Sequence, residues 1–160
     1  MRYMPLLVFA LITAALYFQQ SIQRQVQPAE QVVSSTLSAT EFLNYRSAVM
    51  AYVTANPGFA GSVPSGALTS LSGQQFSSTF LAATGNAVTL EGSAVEVTVY
   101  SALPTGTLQT LLTQSGGDAS IGLSAGSTWT TGANGMVSGA QPLAVSVPSG
   151  DVVSVFEIGT

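Results

Sequence analysis

The sequence contains no lysine, no histidine and no cysteine, and its basic residues are three arginines, Arg2, Arg24 and Arg46. Without cysteine there is no disulfide, no lipoprotein acyl site and no thiolate chemistry. Without histidine or cysteine no ordinary zinc or copper site can be assembled. The Ser-His and Ser-Lys nucleophile pairings cannot exist within the chain. Charge of either sign is scarce: 6% of residues are charged, against about 25% in an average soluble protein. Solubility must come instead from Ser, Thr, Gly, Asn and Gln. The net charge of −4 argues against a nucleic-acid partner, which would call for a basic stripe. These absences predict a protein that is not an enzyme and carries no cofactor. Only a carboxylate pair in a formed pocket would restore catalysis.

What is present starts with an uncharged run, residues 3–23, between Arg2 and Arg24. As a helix it would rise roughly 30 Å, the thickness of a bilayer's hydrocarbon core. Leu6, Leu7, Val8, Phe9, Leu11, Ile12, Leu16 and Phe18 would together favour insertion by about 2–5 kcal/mol. Tyr3 and Tyr17 fall near the two ends, where amphipathic rings prefer to sit. The competing reading is a cleaved signal peptide. The run ends in Leu16-Tyr17-Phe18-Gln19-Gln20 with no Ala-x-Ala pattern at the right distance, which favours an uncleaved anchor. Arg2 and the terminal amine precede the span and Arg24 follows it, a slight bias toward a cytoplasmic N-terminus. The expectation is a single-pass inner-membrane protein with residues 1–24 as anchor, 25–38 as a Gln-rich stem containing Pro28, and 39–160 as a periplasmic α+β domain.

Within that domain, Ser38-Ala39-Thr40-Glu41 fits a capping box ahead of an apolar-periodic run. Phe42, Tyr45, Val49, Tyr52 and Val53 recur on one helical face, and Asn56-Pro57-Gly58 ends the run. Beyond Gly58 the chain turns to Gly, Ser, Thr and Val. Residues 59–78 read as loop with one helical turn near Leu68. Residues 88–90 and 95–100 read as strands, the second with clean alternation. Pro104 and Thr105 introduce a short helix, residues 108–112, closed by Gly116-Gly117. Further strands are expected at 119–124 and 127–131. Residues 143–147, a turn at 148–151 and residues 152–158 read as a terminal hairpin. The fold class is therefore α+β: an N-terminal transmembrane helix, an amphipathic helix, then an antiparallel β-sheet with one short helix.

Individual motifs are weak. Gly132, Gly135 and Gly139 lie in a turn-rich region, not between a strand and a helix, and are no nucleotide fingerprint. Glu91 and Glu96 are the closest acids in the sheet region. Glu96 shares a face with Thr98 and Tyr100, opposite Val95, Val97 and Val99, and the plain reading is a solvated sheet face. The lone Trp129 reads as core before partner surface. Arg46 is anomalous. At 100° per residue it falls about 40° from Phe42, inside the apolar arc. A charge there needs compensation. Either its stem packs along the face while the guanidinium snorkels to solvent or pairs with one of Glu91, Glu96, Asp118, Asp151 or Glu157, or it leaves the face to dock a partner.

The helix and its exit carry a resemblance. Phe42-Leu43-x-Tyr45-Arg46-x-Ala48-Val49-x-x-Tyr52-Val53, followed by Asn56-Pro57-Gly58-Phe59-x-Gly61-x-Val63, resembles the PilM family of type IVb (thin) pilus systems, distinct from the actin-like protein that shares the name in type IVa systems. The anchor agrees with it; the Gly/Ser/Thr-rich remainder matches in character only. The resemblance implies an inner-membrane component of the pilus basal body or pilin-export apparatus, without catalytic residues. Its expected partners are other pilus-assembly proteins of the inner membrane and periplasm, or pilin. The family's recurrent positions correspond to Tyr45, Arg46, Tyr52, Asn56, Pro57, Gly58 and Gly61, and the candidate partner-contact residues are Arg46, Tyr45 and Tyr52. The alternative is a minor pilin or pilin-like subunit. Against that stand the absence of a Gly before the apolar stretch and of a Glu early within it.

Overall fold

A computed structural model describes residues 31–92, 94–133 and 139–159. The apolar run 3–23 and Pro28 lie outside the described residues. Among the described residues no helix is long and apolar enough to cross a membrane. The chain divides into two compact units, Met1–Ser34 and Ser35–Thr160, and the second holds the α+β fold.

Helix α1 is helical through residues 31–55. Ser38 and Glu41 therefore sit inside the helix, and the capping box expected there does not form. Glu41 instead turns its Oε1 to the backbone N–H of Ser77, 2.6 Å away. A capping box is a local pattern, and here the run N-terminal to it is helical as well. The expected end holds. Asn56 donates from its side chain to the Tyr52 carbonyl at 2.8 Å, and Gly58 adopts φ 84°.

Three short helices follow: α2 (Ser65–Ser72), α3 (Ser78–Ala83) and α4 (Thr107–Gln114). The strands are β1 (Thr84–Glu91), β2 (Ala94–Ser101), β3 (Ile121–Ser124), β4 (Thr128–Thr131), β5 (Gln141–Pro142) and β6 (Val152–Gly159). They form one antiparallel sheet in the order β1-β2-β6-β3-β4-β5. Alternation along β2 separates its two faces. Val95, Val97 and Val99 join Phe42, Tyr45, Val49 and Val53 of α1 in the main core. Buried Ser35, Ala39 and Ala48 extend the buried face of α1 beyond the predicted residues. Each fully buried Val or Phe contributes about 1.5–3 kcal/mol through burial.

The terminal hairpin is corrected. β6 lies between β2 and β3, not against residues 143–147. Those residues cross the opposite face of the sheet, where Val147 packs with Trp129 and Val153 in a second, smaller core. Apolar alternation at 143, 145 and 147 is equally served by a ladder or by a strap laid over a sheet. The sequence pattern cannot separate them. For the same reason the face of Glu96 is not simply solvated: Thr98 is 1% exposed, and the Glu96 carboxylate accepts from the Ala144 N–H at 3.2 Å.

A candidate site around Arg46

Arg46 leaves α1 one residue beyond buried Tyr45 and reaches the passage between α4 and β3. That passage is shaped by Gly116 and Gly117, with φ 69° and 81°, values that side-chain-bearing residues rarely adopt. The Gly117 N–H returns to the Leu112 carbonyl at 2.7 Å, closing the helix. The turn brings Asp118 back toward α1. Arg46 Nη1 donates to Asp118 Oδ2 at 2.7 Å, and Nη2 donates to Ser120 Oγ at 2.9 Å. Asp118 Oδ1 accepts from the Ser120 N–H at 2.9 Å, and Ser120 Oγ lies 3.4 Å from Ser154 Oγ on β6. The guanidinium carbon stands 5.3 Å from the Phe156 ring centroid, a cation–π distance.

The side chains of Arg46 and Asp118 are 16% and 29% exposed, so solvent screens the pair only in part. Burial acts to raise the Asp118 carboxyl pKa. The hydrogen bonds from Ser120 and the charge and hydrogen bond of Arg46 outweigh it and hold the carboxyl below its ordinary value. Arg46 Nε is buried and finds no acceptor among the described residues, a cost that the other bonds offset.

The other two residues expected to contact a partner have separate settings. Tyr45 is 3% exposed, with its ring edge-on to Phe76 and Phe80 at 5.3 and 5.7 Å. Its hydroxyl accepts from Asn86 Nδ2 at 2.7 Å. Burial pushes the phenol pKa up, against the opposing hydrogen bond of Asn86. Tyr52 is half-buried, edge-on to Phe59 at 5.1 Å. No single surface patch gathers Tyr45, Arg46 and Tyr52.

Sequence reasoning missed Asn86. From β1 it accepts the Val63 N–H at 2.6 Å and donates to the Val63 carbonyl at 3.1 Å. It thereby acts as a surrogate backbone for the segment beside the sheet edge, where Gly61 bridges Val88. The available signal was an Asn inside a strand, where that residue is depleted.

Glu91 and Glu96 do not form a working pair. Glu96 stands directly across from Glu157 on β6, while Glu91 faces Ala94. Besides a smaller groove of about 190 Å³ between α1 and residues 71–74, larger open grooves lie among the described residues. One, of about 600 Å³, runs between α1 and residues 74–77 and is lined by a single titratable side chain, Glu41. Another, of about 370 Å³, lies beside Leu112 and Gly132 and has none. Among the described residues no group of acids could hold a metal ion. Trp129 is core, 4% exposed.

Comparison with known proteins gives a consistent result. The PilM protein family matches residues 8–155. A crystal structure of a protein assigned as PilM, from Escherichia coli B7A, superposes with a TM-score of 0.52 at 16% identity. It covers 79% of this chain and 94% of its own, a likeness of fold. No curated protein matches the chain.

Proposed function

The chain belongs to the PilM family of pilus biogenesis proteins, and from that premise we propose that it is an inner-membrane scaffold of a type IVb pilus assembly machine. In this reading residues 3–23 cross the membrane once and the folded domain lies in the periplasm. There it contacts other biogenesis proteins or pilin without catalysing a reaction. The observation that carries the reading, beside the family, is how the domain uses its chemistry. Arg46, the only base in the second unit, is committed to Asp118 and Ser120. Tyr45 and Asn86 are likewise committed to each other. Such groups hold α1 to the sheet, as a scaffold requires. Partner contact then falls to neighbouring surface, where Tyr52 is half-buried and Tyr45 is not exposed.

Tethering substitutes for intrinsic affinity by raising local concentration. The domain from Gln25 onward, exported without its anchor, should fold and fail to support pilus assembly. Full piliation by the free domain would overturn the proposal. A reporter active only outside the cytoplasm, fused after Gly61, should be active; an expressed but silent fusion would reverse the topology.

A further inference from the structure

Residues 143–147 cross the second face of the sheet without joining its ladder. Leu143, Val145 and Val147 turn inward by alternation onto Tyr100, Trp129, Val153 and Val155. Val147 is fully buried, whereas Leu143 and Val145 are only half-buried. The backbone attachments are few. Leu143 N–H and Val147 N–H donate to the carbonyls of Ser127 and Gly126, both at 2.9 Å. Ser124 Oγ donates to the Val147 carbonyl at 3.0 Å. The remaining attachment is the Ala144 N–H to Glu96 Oε1 at 3.2 Å.

The two ends of this segment suit a hinge. On one side lies β5, two residues long and ending in Pro142. On the other a turn at 148–150 ends in Gly150 with φ 93°. Segments with few buried apolar contacts and exposed backbone bonds open at much lower free energy than a packed core. The main core differs in its ladder: Val97, Val99 and Ile121 are 0% exposed and sit in paired strands, whereas the segment has one comparably buried side chain, Val147, and lies outside the strands.

Glu96 occupies a particular place in this arrangement. It faces Glu157 across the ladder, an unfavourable pairing of like charges. The Thr98 hydroxyl, at 3.2 Å, and the Ala144 N–H are the donors that its carboxylate receives. Among the attachments of the segment this one alone uses an ionisable group.

We propose that residues 143–147 form a hinged strap that opens as one unit from the second face of the sheet, with Glu96 as its clasp, baring an apolar slot floored by Trp129 and Val153 while the main core stays folded. Because the chain has no cysteine, a single introduced thiol reports on one position alone. In the full chain, Val147→Cys should react with a thiol reagent about 100-fold faster than Val97→Cys, with a rate almost flat in low urea. Glu96→Ala should speed labelling at Val147→Cys about tenfold and leave labelling at Val97→Cys within about twofold. Equal protection at both positions with the same urea dependence would overturn the strap. Unchanged labelling at Val147→Cys in the Glu96→Ala background would overturn the clasp. Should a cysteine variant fail to fold, amide exchange in the wild-type chain gives the same test. Leu143 and Val147 should then exchange well ahead of Val97 and Val99, and equal protection would count against the strap.

Discussion

Arg46 and Asp118, 72 residues apart in the chain, meet at 2.7 Å and join α1 to the passage between α4 and β3. Their bond lies where a long helix meets the sheet through mostly apolar contacts, so it fixes the helix's rotation as well as adding stability. The strength of such a pair lies between the exposed and buried limits. Exposed pairs contribute under about 1 kcal/mol, while breaking a buried pair costs about 3–5 kcal/mol.

Arg46→Met keeps the volume and removes the charge. It should lower stability by about 2 kcal/mol in urea denaturation. Asp118→Asn should cost a similar amount, and the double variant clearly less than the sum. Wild-type stability in Arg46→Met together with lost piliation would instead mark Arg46 as a docking residue.

The pH dependence follows from two aspartates of opposite sign. Asp118 is held below its ordinary value of 3.8. Its contribution is therefore present above that value and is lost as pH falls through the lower folded pKa. Asp151 is raised from 3.8 by burial. It favours the fold when protonated, and that contribution is lost as pH rises through its folded pKa. Asp118→Asn should flatten the acid loss of stability. Asp151→Asn should make the protein relatively more stable at neutral pH. Urea midpoints followed from neutral pH down through the acid range would check both.

Asn86→Ala strips the partners from the Val63 N–H and carbonyl and from the Tyr45 hydroxyl at once. Buried groups left without partners cost about 1–3 kcal/mol each, with some relief from water. The expected loss is about 3 kcal/mol, accompanied by faster amide exchange at Val63 and Gly61. A loss under about 0.5 kcal/mol would mean that the surrogate backbone role is dispensable.

Gly122→Ala tests a close approach of backbone to backbone. A methyl on Gly122 would overlap the Thr130 carbonyl oxygen on the neighbouring strand, and neither strand can yield without breaking the β3–β4 ladder. The expected cost is about 2–3 kcal/mol or loss of folding. Circular dichroism and thermal melting would show it, with Gly66→Ala, where nothing lies nearby, as the control.

The sequence by itself determined a good deal of this. Helical periodicity at Phe42, Tyr45, Val49 and Val53, with Asn56-Pro57-Gly58 after it, identified the core face of α1 and its end, because both are local properties of the chain. Alternation at Val95, Val97 and Val99 likewise identified β2 and its buried face. Helix α3 escaped notice because six residues with one buried side chain, Phe80, carry too little periodicity. Partner choice was beyond the sequence. It named five acids for Arg46, and only the glycine turn after α4 brings Asp118 within reach. It paired residues 143–147 with β6, whereas the sheet places β6 between β2 and β3 and lays the strap across the other face. Periodicity states which side of a segment is apolar. What that side meets depends on non-local packing, which the tertiary structure alone decides.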